Sequence, residues 1–381
     1  MKIGIDVRVL LDKNYSGVAS FTYNLLKNII KKDERDAYYF FYNSFKKAKL
    51  PSFIPESKII STRYPNKIFN YFLQKRLSYP RLDKIVGDVD VFYLPHINFS
   101  SFSSKSRNII TIHDLSFLRY PDFFSSRKNF WHQAINIKKN IKKFNKIIAV
   151  SHNTKNDIIE LLGVSPDKIE VIYPGLPEFQ FSKVFSSNYL EEKYNINRDY
   201  ILYLGTIEPR KNISGLISAY NLLRDNGHNF LLVLAGAWGW KTAEIRKEWQ
   251  KSPYKDDIRF ISYVDDEVKP LLYEKARAFV YPSFYEGFGF PPLEAMSFSL
   301  PVVASNTSSL PEVLGDGALL VNPDKPQEIY SAMKNVLIDE DLRHSLIKRG
   351  QARVAEFSWE KTSQEYLNVF RSVLKSEKYS N

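Results

Sequence analysis

Two clusters in the second half of the chain carry residue types suited to holding a diphosphate. The first is Leu204-Gly-Thr-Ile-Glu-Pro-Arg-Lys-Asn212, where an apolar strand runs through a glycine into a helix. Arg210 and Lys211 at that turn set two cations beside a positive helix end, an arrangement that binds a diphosphate and stabilises it as it departs. The same turn also fits a solvated basic loop. No G-x-x-x-x-G-K run occurs, so a P-loop ATPase is excluded. The second cluster is Tyr281-Pro-Ser-Phe-Tyr-Glu-Gly-Phe-Gly-Phe-Pro-Pro-Leu-Glu-Ala-Met296. A strand ends at Tyr281, Gly287 and Gly289 permit tight turns, and Pro291 and Pro292 suit the first turn of a helix. Glu286 then lies on the loop and Glu294 inside the helix, with the amides of Phe288, Gly289 and the helix start as donors for hydroxyl or phosphate oxygens. Alone, the two glutamates equally fit a surface loop and a helix-terminal charge.

In the first half, His113 follows the apolar run Ile109–Ile112, as either a reactive group at a cleft edge or a packed, hydrogen-bonded residue. Asp114 orients that ring or caps a turn. Gly17 precedes a helical pattern, where it either admits a phosphate or sugar or simply starts the helix. His96, His132, His152, His228 and His344 lack metal-ligand spacing, and no metal site is expected. Asp88-Val-Asp90 matches a short metal-binding pattern but stands at a loop-to-strand boundary and is read as structural.

The elements that position these residues alternate. Strand patterns fall at Lys2–Val9, Tyr38–Tyr42, Val91–Leu94, Asn108–Ile112, Lys146–Val150 and Ile169–Ile172, with helical patterns at Val18–Ile30, Ile68–Ile85 and Thr154–Leu162. After Tyr173-Pro-Gly-Leu-Pro177 comes a polar stretch, Glu178–Asp199, that reads as a linker. The pattern restarts with strands at Tyr200–Leu204, Phe230–Leu234, Ile258–Ile261, Ala278–Tyr281, Pro301–Ala304 and Ala318–Val321. Such alternation predicts two α/β domains with parallel, doubly wound sheets, and ligands at the carboxyl edges of their strands.

The chain has 381 residues, 44% of them hydrophobic, and no cysteine, which excludes a disulfide framework, a thiol nucleophile and a thiolate metal site. Its net charge of +12 is uneven. Residues 1–177 carry 29 Lys+Arg against 15 Asp+Glu, whereas residues 178–381 carry 25 against 27. The basic half, with clusters at Lys46/Lys47/Lys49, Lys75/Arg76/Arg81/Lys84 and Lys138/Lys139/Lys142/Lys143/Lys146, fits either an anionic membrane surface or a solubilising face. No nucleic-acid motif accompanies the charge, so nucleic acid is not expected as a partner. The opening Lys2–Leu10 reads as a buried strand rather than an export leader, and apolar runs such as Leu231–Ala237 fall short of the roughly 18 residues of a spanning helix. The expected location is cytoplasmic, with the inner face of the plasma membrane as a peripheral station.

The Glu208–Asn212 turn, the Glu286-x7-Glu294 element and Ser305-Asn-Thr-Ser-Ser-Leu-Pro-Glu312 together resemble the donor-binding half of family 4 glycosyltransferases. Gly17, Thr111-Ile-His-Asp114 and Val150-Ser-His152 are similar to the acceptor half, so the resemblance covers nearly the whole chain. The wording Gly205–Asn212 is similar to mannosyltransferases that build bacterial O-antigens and capsules. The resemblance implies a GT-B fold: residues 1–177 as acceptor-binding domain, 178–357 as donor-binding domain, one flexible linker, and a helix at about 358–375 crossing back to the first domain. It also implies a nucleotide-diphosphate sugar as substrate, retention of anomeric configuration, no metal and no other cofactor. Lys211 and Arg210 would hold the diphosphate and Glu294 the ribose. Glu286, Gly287 and the amides of Phe288 and Gly289 would meet the sugar, Tyr263 and Val264 the base, and Leu310 the phosphates. His113 would approach the sugar, and Gly17, Gly205 and Thr206 would line the donor's path. Many members carry an arginine where this chain has Thr206, and Arg210 would compensate. The expected reaction moves mannose from GDP-mannose to a lipid-linked or oligosaccharide acceptor in surface-polysaccharide synthesis. The alternatives are a UDP-sugar-dependent glucosyl or N-acetylhexosaminyl transferase, a nucleotide-sugar epimerase and a non-catalytic binding module. A sugar phosphorylase would need a much longer chain.

Overall fold

The structure, a computed structural model, describes residues 1–11, 17–74, 79–177, 179 and 185–375. The chain forms two compact units, one of Met1–Leu115, Arg127–Gly175 and Ser358–Asn381, the other of Ser116–Ser126 and Leu176–Phe357. The piece 116–126 therefore departs from the expected division at residue 177. Besides the passages at 175/176 and 357/358, this piece adds one at each of its ends, so the backbone passes between units at four places.

The first unit holds β1 (Lys2–Asp6), β2 (Ala37–Asn43), β3 (Ile59–Thr62), β4 (Val91–Leu94), β5 (Arg107–Ile112), β6 (Lys146–Ala149) and β7 (Ile169–Val171). All are parallel, in the order β3-β2-β1-β4-β5-β6-β7. Parallel strands covered on both faces must be apolar throughout, which is why every residue of β4 is buried. The helix Gly17–Lys32 covers this sheet with Phe21, Leu25 and Ile29 at four-residue spacing. The helix Trp359–Lys375 adds Tyr366, Phe370 and Val373 to the same core. A Cβ on Gly175 would fall 2.2 Å from the backbone nitrogen of Trp359, so this helix can start where it does only over a glycine. The buried hydroxyls of Tyr93, Thr111 and Tyr366 satisfy one another in a chain of 2.8 Å hydrogen bonds. Leaving one such group unpaired costs roughly 1–3 kcal/mol.

The second unit holds β8 (Tyr200–Leu204), β9 (Leu231–Ala235), β10 (Ile258–Ile261), β11 (Ala278–Tyr281), β12 (Val302–Ser305) and β13 (Ala318–Val321). These too are parallel, ordered β10-β9-β8-β11-β12-β13.

Several elements differ from expectation, and the first strand ends at Asp6 rather than Val9, with Arg8–Leu11 forming a 3-10 helix. β3 is a short, partly exposed edge strand whose four residues, Ile-Ile-Ser-Thr, carry too little periodicity to read. The helical stretch 68–85 is two helices, Asn66–Gln74 and Leu82–Ile85, separated at Pro80, which has no N–H to continue a helix. Lys75 and Arg76 lie outside the described residues. The polar stretch 178–199 contains a helix, Tyr189–Tyr194. Asp88 and Asp90 have structural roles: Asp88 pairs with Lys84, and Asp90 accepts from the backbone N–H of Lys2 at 2.7 Å, fixing the start of β1 beside β4. Among the described residues no helix is long and apolar enough to cross a membrane.

Candidate active site

An open parallel sheet binds ligands where its strand order reverses, because the loops leaving the two strands there diverge and open a crevice at their carboxyl ends. In the second unit this switch point lies between β8 and β11. The loops that leave those strands are Gly205–Asn212 and Pro282–Gly289, the two clusters singled out from residue types.

The loops are joined by charge. Arg210 donates to Glu208 Oε1 at 3.1 Å, to Glu286 Oε2 at 3.0 Å and to the Tyr285 carbonyl at 2.7 Å. Lys211 Nζ donates to Glu286 Oε1 at 2.5 Å and to the Tyr281 hydroxyl at 2.7 Å, and lies 5.0 Å from the centre of the Tyr281 ring. Lys211 and Glu286 are 7% and 6% exposed, so both charges are held largely out of water. Burial pushes the Lys211 ammonium below the usual lysine value, and the neighbouring Arg210 lowers it further. Burial acts on Glu286 in the opposite sense, but Arg210 and Lys211 outweigh it and pull the carboxyl to about 2. A lysine kept charged against its own desolvation is the sort of group that functional sites concentrate.

The backbone supports this cluster on every side. Gly205 and Gly236 have φ of 153° and 149°, and a Cβ on Gly236 would lie 2.0 Å from the Gly205 carbonyl, so these turns tolerate no side chain there. Thr206 is exposed on that turn. Asn212 starts the helix Ile213–Asp225 by accepting from Gly215 N at 3.2 Å. Gly289, with φ of 97°, starts the helix Phe290–Ser297 and packs against Leu310, where a Cβ would approach Cδ2 to 2.6 Å.

The run after β12 pins the second loop, a role the sequence left unassigned. Thr307 Oγ1 donates to the Phe284 carbonyl at 3.0 Å, and Ser309 Oγ donates to the carbonyls of Glu286 and Phe288 at 2.9 and 3.0 Å. Glu286 N donates to Ser308 Oγ at 2.9 Å. Three adjacent hydroxyls facing a glycine-rich loop were the available signal. The Leu310 amide donates to the Thr307 carbonyl at 3.3 Å.

Glu294 lies farther along the same helix, accepts from the Tyr273 hydroxyl at 2.8 Å, and is raised above the usual carboxyl value by burial. Beyond β10, Tyr263 is 51% exposed and Val264 is buried.

In the first unit, His113 follows β5. Its Nε2 lies 2.8 Å from the Pro95 carbonyl, which can only accept, so Nε2 carries the proton and Nδ1 the lone pair. Burial lowers its pKa and favours the neutral ring, which lies T-shaped to the Phe21 ring with centroids 4.7 Å apart. Ser151 of the Val150-Ser-His152 run caps the helix His152–Leu162 by accepting from Thr154 N at 3.0 Å. Gly17 is exposed at the start of its helix, with nothing within 4 Å of an added Cβ. At the end of β1, Arg8 and Asp6 form a forked ion pair that residue spacing did not reveal.

Residues 15–178 match the family model described as Glycosyltransferase Family 4, and residues 189–353 match Glycosyl transferases group 1. Over 293 residues the chain is 34% identical to O-antigen chain mannosyltransferase B of Escherichia coli, covering 74% of this chain and 72% of that one. The chain belongs to the family 4 glycosyltransferases. This glycosyltransferase is also 33% identical over 227 residues to O-antigen chain mannosyltransferase RfbU of Salmonella typhimurium, covering 60% of each. HepE of Anabaena, solved in complex with UDP-glucose, matches with a TM-score of 0.72 at 18% identity, over 98% of this chain and all of that one. That likeness is one of fold: two parallel α/β sheets of seven and six strands, as in GT-B glycosyltransferase structures.

Proposed function

We propose that this family 4 glycosyltransferase moves mannose from GDP-mannose, with retention of configuration, onto a lipid-linked or oligosaccharide acceptor in O-antigen or capsule synthesis. The observation that carries the reading is the Arg210–Lys211–Glu286 cluster at the switch point of the second unit. The choice of mannose follows the O-antigen mannosyltransferases at 33–34% identity. The second unit is the donor side and the first the acceptor side.

In the reaction, the bond between the anomeric carbon and the diphosphate oxygen breaks, the acceptor oxygen bonds to that carbon, and the acceptor proton passes to a phosphate oxygen. Lys211 and Arg210 hold the diphosphate and take up its growing negative charge, worth several kcal/mol in a low-water site. Two cations supplied by the chain make the step independent of a metal. Glu286 and the Gly287–Gly289 backbone orient the sugar hydroxyls, so Glu286 positions the sugar and is not a nucleophile. Glu294 receives the ribose, Tyr263 and Val264 flank the base, and Leu310, Gly205 and Thr206 border the phosphates. On the acceptor side, His113 and Gly17 border the sugar.

A thermal-shift series with GDP, UDP and ADP is the direct test, since selective binding stabilises as RT ln(1 + [L]/Kd). GDP is expected to raise the unfolding temperature most, and GDP-mannose to release GDP with a lipid-linked acceptor. A larger shift with UDP would favour the UDP-sugar alternative, the kind of donor HepE was solved with. Interconversion of the free nucleotide sugar would mean an epimerase, and binding without turnover a binding module.

The membrane part of this reading rests on the helix Asn66–Gln74, which leaves Ile68, Tyr71 and Phe72 at 50%, 49% and 43% exposure within the basic half. The protein is expected to sediment with anionic vesicles at low salt and to stay in solution with neutral ones. Equal behaviour with both would remove a peripheral station at the plasma membrane from the reading.

A further inference from the structure

Residues 116–126 leave the first unit's chain and belong to the second unit. Their rings contact the donor side at well-defined places. Phe123 stacks on Phe284, with centroids 5.7 Å apart and planes 19° from parallel, and Phe124 stacks on Trp240 at 5.9 Å and 23°. Tyr120 stacks on Phe123 at 5.4 Å and meets the Tyr285 ring at 5.7 Å. Two hydrogen bonds fix the backbone of the piece: Trp240 Nε1 donates to the Phe123 carbonyl and Lys241 Nζ to the Asp122 carbonyl, each at 2.6 Å.

Phe284 and Tyr285 are the two residues immediately before Glu286. Phe284 N donates to the Arg210 carbonyl at 2.9 Å, and the Tyr285 carbonyl accepts from the Arg210 guanidinium at 2.7 Å. The strap's rings therefore grip the two residues whose backbone is bonded to Arg210 and leads into Glu286. We propose that segment 116–126 is a positioning strap for the donor site, with Phe123 and Tyr120 holding the Phe284–Tyr285 backbone so that Arg210 and Glu286 keep their geometry. The role rests on the donor-site reading above. It gives Phe123 and Tyr120 a place in the reaction through the backbone their rings hold. Asp114 and Leu115 alone separate His113 from the strap in sequence, so one continuous segment carries a candidate reacting group and this support.

A misplacement of about 1 Å in a reacting constellation can cost about 10²-fold. Phe123→Ala and Tyr120→Ala are expected to lower kcat/KM for the donor about 10- to 100-fold, with the acceptor KM unchanged. Phe123→Tyr, which keeps the stacked ring, is expected to stay within about 3-fold of wild type. Tyr120 is 38% exposed, so its truncation tests the idea even if Phe123→Ala fails to fold. Val336→Ala, in the buried face of the helix Pro326–Ile338, is the control for general loosening. It should lower Tm without moving the donor KM. The proposal is overturned if both strap variants keep wild-type donor kinetics, or if Val336→Ala reproduces their defect at equal loss of Tm. Should wild type transfer no sugar, the functional reading fails, and calorimetric affinity for inorganic pyrophosphate then decides the strap. A loss in Tyr120→Ala with none in Phe123→Tyr supports it, and equal affinities overturn it.

Discussion

Lys211→Ala is expected to lower sugar transfer about 10²–10³-fold, the usual effect of removing one preorganised charge-stabilising donor, while leaving the protein folded. Two observations separate the functional cost from the structural one. Burial and Arg210 both depress the Lys211 pKa, so the cost of burying this ammonium offsets part of what its pair with Glu286 contributes to the fold. Arg210 also remains in contact with Glu286 at 3.0 Å once Lys211 is gone. Thr206→Ala, which removes an uncharged, exposed side chain from the same turn, is expected to lose less activity than Lys211→Ala. Equal, intact rates in both variants would end the assignment of the diphosphate to this turn. The proton on Lys211 gives a second reading. Its pKa is lowered from 10.5, so kcat/KM, which reports the free enzyme, should begin to fall at a pH below that of an ordinary lysine. Lys211→Arg, whose guanidinium stays protonated, should remove that alkaline limb while keeping measurable transfer.

Glu286→Ala is expected to destabilise the second unit by about 3–5 kcal/mol, because it leaves the buried Lys211 ammonium without its carboxylate and Arg210 with Glu208 alone. For a unit of this size that is a drop in Tm on the order of 10 °C. The pH dependence follows from the sign of the shift. The carboxyl falls from 4.5 to about 2 in the folded protein, so its stabilisation is complete above pH 4.5 and drains as pH falls toward 2. The stability gap between wild type and Glu286→Ala should therefore narrow across that window. A gap that stays constant would show that the ion pairs contribute nothing. Glu286→Gln, which keeps shape and hydrogen-bonding capacity but not charge, should fall between the two.

The clusters around Arg210, Lys211 and Glu286 were legible because each sits on one loop with its own glycines and prolines, and local chemistry suffices to mark such loops. Their mutual ion pairs were not, since 75 residues separate Lys211 from Glu286 and nothing local says that β8 and β11 are neighbours. The hydroxyls of Thr307, Ser308 and Ser309 were visible as residues, but their partners are carbonyls of another loop, which composition does not encode. The strap was illegible for the same reason at longer range, with Phe123 and its Trp240 partner 117 positions apart. β3 and the break at Pro80 show a different limit: short edge elements are set by their neighbours more than by their own periodicity.

The excursion of 116–126 bears on how such enzymes can be cut and recombined. The second unit excised as 176–357 would leave behind the rings that cover Phe284 and Trp240, so the fragment would be sticky for a reason its own sequence does not show. A chimera joined at 175/176 would bring a foreign strap to a host surface it never co-evolved with. Modular exchange of this unit must carry two separate stretches of gene together, a constraint under which a simple crossover between halves yields a mismatched protein.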